Sequence, residues 1–396
     1  MQNNLRLYLF AASFVIYEFT TYASNDMIMP GMLSVVKEFN SPVSYIALSI
    51  IFFLFGNAML QLFLGPLAER FGKRCLIIYG NIIFIVFTIF LALSINMHMF
   101  LIGRLLQGAG LAFIAMGYAM IHENFNDKNA VKLTALMANV SVLAPIIGPV
   151  IGGIIISYVS WRYVFIFSIF TALISLYGLI KYAPYNKTPL QKLKFKEIIE
   201  NYFQIVKMPK FIIGVLAVGL VVMPSMTWIA IAPTLIMHTL KLPVSDYMLY
   251  QAIAIGGFFI STIINQIIAG KVDMMKLVDF GAKLSISGFV VIAIFYNHIF
   301  MISIGFCVCC IGLGLQMGTM FRVLGKLEVK SQSMLFSLMA FVQIIIMAIL
   351  LEIVNNILKS FDYSLTSFVI TCLILGALSL CFVFKFIKMN NNRNWQ

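Results

Sequence analysis

Residues 17 to 30 read YEFTTYASNDMIMP and place two carboxylates, Glu18 and Asp26, eight positions apart in a stretch otherwise apolar enough to cross a bilayer. A charge at mid-bilayer is costly, so an ionisable side chain there is by default a functional candidate facing a cavity or a partner. Arg104 and Glu352 fall in two further apolar stretches and raise the same question. On a helix, positions i, i+4 and i+8 advance by about 40° and 6 Å at each step, so Glu18, Tyr22 and Asp26 make one polar stripe about 12 Å tall. Asn25 adds a donor and an acceptor beside it, and Pro30 weakens the helix just beyond. Burial raises a carboxyl pKa and a nearby cation lowers it. A carboxyl in a partly wet cavity can therefore exchange protons close to neutral pH, as a proton-coupling device must.

Each of these residues also has a plainer role. The two acids could be glue between helices, or Asp26 could lie near a solvated outer interface. Arg104, in GRLLQGAGLAF, needs an acceptor and is expected to tune the acids; backbone carbonyls are the alternative. Glu352, followed by Asn355 and Asn356, admits a functional and a structural role alike.

Two more stretches bear on moving parts. In ALMANVSVLAPIIGPVIGG, residues 135 to 153, Pro145 and Pro149 are expected to break the backbone ladder, while Gly148, Gly152 and Gly153 let another helix approach closely. A kinked, glycine-faced helix suits a seam that opens and closes, or a static close contact. In GPLAERFGKR, residues 65 to 74, Gly65 and Gly72 permit a tight turn, and Glu69, Arg70, Lys73 and Arg74 can pair with charges or helix ends at one mouth of the protein.

The elements that must carry these residues are helices. The 396 residues are 62% hydrophobic and 10% charged, with mean hydropathy +1.00, far from the roughly 25% charged content of soluble domains. A span needs about 20 apolar residues. Twelve such stretches lie near 7–36, 43–68, 75–95, 98–121, 130–157, 160–183, 209–237, 244–270, 275–295, 298–321, 331–357 and 363–387. A membrane β-barrel would show short alternating segments instead. The fold class is therefore an all-α polytopic membrane protein. The first apolar stretch runs past a signal-peptide length, holds two acids and lacks a small-residue cleavage site, so it is expected to stay as a helix.

Net charge is +13, which in a membrane protein reports orientation before it reports nucleic acid. With a cytoplasmic N-terminus, 22 of the 27 Lys and Arg fall inside: Arg6; Arg70, Lys73 and Arg74; Lys128 and Lys132; seven from Lys181 to Lys210; Lys271, Lys276 and Lys283; Arg322, Lys326 and Lys330; Lys385, Lys388 and Arg393. Lys37, Arg162, Lys241 and Lys359 fall outside and Arg104 within a helix, so both termini are expected in the cytoplasm.

The longest hydrophilic interval, residues 183 to 210, divides the spans six and six. Its LKFKEIIENYFQIV puts Leu193, Ile198, Ile199, Phe203 and Val206 at near-helical spacing beside lysines, as an interfacial helix would; a solvated linker helix fits the same pattern. Two six-helix halves meeting at a cavity are the plan of many secondary transporters, although GPLAERFGKR has only a degenerate counterpart in GKVDMMK, residues 270 to 276. Cys307, Cys309 and Cys310 crowd one helix without enough converging ligands for a metal, and small packing residues explain them. His98, His122, His238 and His298 sit near predicted helix ends. No paired histidine ligands or serine elbow argue for an intramembrane enzyme, and no soluble signalling domain argues for a receptor.

GPLAERFGKR resembles the signature loop of the major facilitator superfamily, GRLLQG its fourth-span arginine motif, and APIIGPVIGG the fifth-span motif of its proton-driven exporters. The likeness extends through YEFTTYASNDMIMPGML and, more loosely, TWIAIAPTLI at 227 to 236, over essentially the whole chain. It implies twelve helices in two six-helix halves, residues 1–182 and 209–396, joined by a linker at 183–208. It implies a proton-coupled exporter of lipophilic cationic or neutral compounds in the bacterial inner membrane, driven by the proton motive force, without a cofactor or metal. The partners implied are a small-molecule substrate, protons and lipid, with no nucleic acid and a monomeric state. A dedicated exporter of one metabolite or siderophore is the alternative; the fifth-span motif argues against an importer. The resemblance gives Glu18 and Asp26 proton and substrate exchange and Arg104 their modulation. Tyr22, Asn25 and Trp228 become pocket lining; Gly65, Glu69, Arg70, Gly72 and Arg74 a cytoplasmic gate; Pro145, Gly148, Pro149 and Gly152 the antiporter motif. Glu69 stands where the loop usually carries Asp, Ser24 where glycine is usual, and Met29 where close members carry a polar amide.

Overall fold

The computed structural model describes residues 2–185, 195–268, 271–329 and 332–391. Gly270, Lys330, Arg393 and the linker positions Lys187, Lys192, Leu193 and Lys194 lie outside the described residues. Among those described every regular element is helical: α1 (Gln2–Met27), α2 (Met32–Glu38), α3 (Tyr45–Phe71), α4 (Lys73–Ala92), α5 (Met97–Ala112), α6 (Ile114–Asn124), α7 (Asp127–Tyr158), α8 (Arg162–Tyr182), α9 (Phe195–Val206), α10 (Pro209–Pro233), α11 (Val244–Ile268), α12 (Met274–Ile294), α13 (Ile299–Leu324), α14 (Gln332–Ser360) and α15 (Leu365–Asn391). Among the described residues eleven segments, with α5 and α6 counted as one, are long and apolar enough to cross a membrane. Helix α1 has 26 residues, about 39 Å at 1.5 Å per residue, and so the length of a twelfth. Its acids and hydroxyls are what dilute its apolar character.

Three predicted spans differ in detail. The stretch 7–36 is not one helix: α1 stops at Met27, Met29–Gly31 makes one tight 3-10 turn, and α2 follows, because Pro30 has no N–H with which to extend the ladder. The stretch 98–121 is interrupted at Phe113, between α5 and α6. The stretch 130–157 runs Asp127–Tyr158 as α7, with Pro145 and Pro149 inside it; each proline lacks the N–H of one ladder bond, which packed neighbours and local adjustment tolerate at membrane depth.

The chain forms two compact units, Met1–Pro42 with Leu48–Ile198, and Val43–Ala47 with Ile199–Gln396. In the first, α1 packs against α7 and α8, and α4 against α5 and α8, around a buried cluster that includes Phe10, Phe14, Tyr17, Phe53 and Phe84. Gly56 and Gly108 let α3 and α5 meet backbone to backbone: a Cβ on either would lie 1.7 or 2.0 Å from the Leu105 or Phe53 carbonyl oxygen. That crossing brings Ser49 and Phe53 up to Arg104. In the second unit α10 is buried along almost its whole length, against α13, α14 and α15.

Helix α9 forms where the linker pattern predicts it, with Ile199, Phe203 and Val206 exposed along one stripe and Ile205 buried. At the far end of α2, Glu38 is clasped by the α7–α8 corner. The Trp161 indole donates to Oε2 at 2.7 Å, Arg162 Nη1 lies 2.7 Å from Oε1, and Arg162 Nη2 donates to the Ser94 carbonyl at 2.9 Å. Partial burial raises the Glu38 carboxyl, but the Trp161 and Arg162 hydrogen bonds and the Arg162 charge outweigh it and hold its pKa below the ordinary value.

Candidate functional site

Asn25 and, through it, Asp26 meet Arg104. Its side chain is completely buried and its guanidinium is shared among three neutral acceptors. Nε donates to Ser49 Oγ at 3.1 Å, Nη1 to Gln107 Oε1 at 2.8 Å, and Nη2 to Asn25 Oδ1. The group also lies 4.7 Å from the centre of the Phe53 ring, a cation–π contact. Asn25 completes a bridge, since its Nδ2 donates to Asp26 Oδ1 at 3.1 Å. Arginine and carboxylate are thus joined through a neutral amide. Gln107 anchors the arrangement from behind, its Nε2 donating to Ser24 Oγ at 3.1 Å and Thr88 Oγ1 at 3.0 Å. Ser24 supplies an acceptor that the glycine usual there would not.

Glu18 lies two turns along α1 from Asp26 and is also completely buried. Tyr118, on α6, donates to its Oε1 at 2.7 Å, while Oε2 has no partner among the described residues. Tyr22 and Asn25 are half-buried and Asp26 is buried. The stripe read from the sequence therefore points into the first unit. Neither acid is solvated at an exposed helix end.

Helix α7 closes over this stripe at its glycines. A Cβ on Gly148 would lie 3.2 Å from both the Ala23 carbonyl oxygen and Asp26 Cβ, and one on Gly152 only 1.8 Å from the Met27 carbonyl oxygen. Pro145 and Pro149 flank Gly148 on the same helix.

Other predicted residues are placed less simply. Gly72 makes the α3–α4 turn, with φ +82°, a conformation glycine adopts at little cost. Gly65 lies inside α3 and takes no part in that turn. Glu69 and Arg70 are exposed, with Arg70 resting over the Phe71 ring. The partnered residues there are Lys73, in an ion pair with Glu123 of α6, and Arg74. Arg74 Nη2 donates to the Ile180 carbonyl at 2.8 Å, and its guanidinium lies 4.2 Å from the Tyr185 ring centre. Trp228, expected to line a pocket, is completely buried with its ring 4.8 Å from Phe306 and 6.1 Å from Phe368; it is packed within the second unit and offers no open stacking face. Glu352 is half-buried, with Oε1 accepting from Asn356 at 2.7 Å.

Ser49, Thr88, Gln107 and Tyr118 were not singled out from the sequence. Gln107 carried a signal, standing three residues from Arg104 on the same helical face. Tyr118 is on the far side of the α5–α6 break, which single-helix periodicity cannot bridge.

A buried, hydrogen-bonded set of acids and an arginine inside a twelve-helix membrane protein of two units defines the class of secondary transporters. The chain belongs to the Major Facilitator Superfamily, whose family model matches residues 14–349. It is 32% identical over 351 residues to the multidrug transporter MdfA of Escherichia coli O157:H7, covering 87% of this chain and 86% of that protein. It is 33% identical over 319 residues to the chloramphenicol resistance protein CraA of Acinetobacter baumannii, covering 79% of this chain and 77% of that one. The fold is also that of a D-xylose–proton symporter crystal structure, with TM-score 0.78 and 16% identity over 96% of this chain and 98% of the other. A bacterial homologue of the human lysosomal transporter Spinster, solved inward-facing, gives TM-score 0.73 at 15% identity over 97% of each chain.

Proposed function

We propose that this protein is a proton-coupled exporter of lipophilic cationic or neutral compounds, driven by the proton motive force in a bacterial inner membrane with both termini in the cytoplasm. The observation that carries the proposal is the burial of Glu18 and Asp26 on one helix, with Asp26 joined to Arg104 through Asn25. A carboxylate held this way can exchange a bound cation for a proton: protonation from the outside weakens the bound cation and favours its release, and deprotonation toward the cytoplasm restores binding. The names of the two relatives, a multidrug transporter and a chloramphenicol resistance protein, support a broad cargo of this kind. The working unit is a monomer whose partners are cargo, protons and lipid. Lys73–Glu123 and Arg74–Ile180 hold its cytoplasmic end. The test is transport by purified protein in proteoliposomes under an imposed pH gradient. Wild-type protein is expected to move lipophilic cations and to release protons when cargo is added, and Asp26→Asn to lose proton-driven movement. Wild-type rates from Asp26→Asn would remove Asp26 from the coupling, and no proton release at any pH would remove direct exchange.

A further inference from the structure

The two units differ in what they bury. The first buries Glu18, Asp26 and Arg104; among the described residues of the second no acid, lysine, arginine or histidine is fully buried, Glu352 being half-buried with its Oε2 enclosed and unpartnered. Most of the hydroxyls and amides buried there are satisfied within the unit. Ser225, Ser261, Ser303, Thr319 and Thr371 donate to carbonyls of their own helices, and Gln316 Nε2 donates to Ser285 Oγ and the Gly312 carbonyl, both at 3.1 Å.

Gln251 does not follow this rule. It is completely buried on α11, in line with Ala254, Ile255 and Gly257, and neither its Nε2 nor its Oε1 has a partner among the described residues. Leaving both halves of a primary amide unmet in an apolar interior is expensive. Thr227 Oγ1 and Trp228 Nε1, adjacent on α10, are buried without partners as well. Depth relates these groups. A Cβ on Gly257 would meet the Cys307 carbonyl oxygen, and one on Gly314 would meet Ser261, so α11 and α13 run alongside each other in the same direction, with their facing residues offset by 50 to 53 positions (307 − 257 and 314 − 261). That register sets Gln251 level with the residues just before Phe306, whose ring packs on Trp228. The separation along the axis is about one helical turn.

We propose that Gln251, whose buried amide has both its donor and its acceptor unmet, is a neutral hydrogen-bonding subsite for the amide, carbonyl or hydroxyl group of uncharged cargo. The amide offers one donor face and one acceptor face, which a carboxamide or hydroxyl group can meet in kind. A lipophilic cation without hydrogen-bonding atoms gains nothing there and relies on the acids of the first unit. The inference rests on the exporter reading and assigns its neutral cargo to the second unit.

The experiment measures equilibrium binding in detergent and transport in proteoliposomes under a pH gradient, with two kinds of probe: tetraphenylphosphonium, and a panel of uncharged aryl amides that includes linezolid. Gln251→Leu is expected to weaken the amides about tenfold, the loss of two neutral hydrogen bonds, and to leave the cation within twofold of wild type. Gln251→Asn is expected to recover part of the loss. The cation serves as the control for folding. Equal losses on both kinds of probe, or no loss on either, would overturn the proposal, as would wild-type protein that carries the cation and binds no member of the panel. Wild-type protein that binds neither kind would instead defeat the exporter reading, and this inference with it.

Discussion

Adding one methyl group at each of three glycines tests whether α1 and α7 meet as closely as described. At Gly152 the new Cβ would lie 1.8 Å from the Met27 carbonyl oxygen and 2.6 Å from its carbon. Ordinary contact begins near 3.4 Å, so backbone must move by about 1.6 Å, and no side-chain rotation can relieve it. Overpacking of this kind costs about 1–3 kcal/mol, roughly 2–12 °C in the unfolding midpoint of a unit of this size. At Gly148 the nearest atoms are 3.2 Å away, and a shift of about 0.2 Å restores ordinary contact. At Gly256, in α11, nothing lies within 4 Å, and the gain in helix propensity, up to about 1 kcal/mol, stands unopposed. Thermal unfolding of the purified protein, at one scan rate because such transitions are often irreversible, should rank Gly256→Ala at or above wild type, Gly148→Ala slightly below, and Gly152→Ala lowest. The added Cβ at Gly148 would also meet Asp26 Cβ, so this variant is expected to alter transport more than stability. A Gly152→Ala protein with wild-type midpoint and wild-type transport would refute the contact and the seam built on it.

Asn25→Leu removes the amide between Arg104 and Asp26, which takes one of three acceptors from Arg104 and the side-chain donor from Asp26; hydrogen bonds to charges are worth about 1.5–3 kcal/mol each, so cargo-induced proton release measured with a pH dye should fall by tenfold or more. Trp228→Ala should cost about 3–5 kcal/mol of stability and Trp228→Phe far less, whereas a Trp228→Ala protein with an unchanged midpoint and altered cargo choice would restore the pocket-lining role. Arg74→Ala should impair transport more than Arg70→Ala, because only Arg74 binds a neighbouring helix end; the reverse order in a vesicle assay would contradict the contacts seen here. Because the Glu38 pKa is held below its unfolded value, its clasp is fully present above the ordinary carboxylate range near 4.3. It is lost as pH falls through the lower folded value. The emission of Trp161 should therefore change only below about pH 4, and a midpoint near neutrality would exclude Glu38 as its cause.

The parts of this protein that were legible in the sequence are those fixed by local chemistry. Helix-length apolar runs set the spans, and the i, i+4, i+8 spacing put Glu18, Tyr22 and Asp26 on one stripe. Pro30 marked the end of α1, and Gly72 the turn before α4. What stayed hidden depends on contacts between segments distant in the chain. Nothing local to Tyr118 says that it reaches Glu18, 100 positions away. Nothing local to Ser49 says that it accepts from Arg104 across the Gly56–Gly108 crossing. The packing of Trp228 on Phe306 and Phe368 stayed hidden for the same reason, because an aromatic residue in a span has the same local signature in a core as at a cavity wall.

The amide between Arg104 and Asp26 bears directly on how such a site could turn over. Breaking a direct buried ion pair by neutralising one partner leaves the other uncompensated, at about 3–5 kcal/mol. An acid clamped to an arginine in that way would resist the proton it has to accept. Here Arg104 keeps Ser49 and Gln107 as acceptors whatever the state of Asp26, and the Phe53 ring offers its negative face. Asn25 needs only to lose or redirect one hydrogen bond when Asp26 takes a proton, and it can do so by rotating an uncharged group. The arginine is thereby close enough to bias the acid and too well satisfied by neutral partners to trap it.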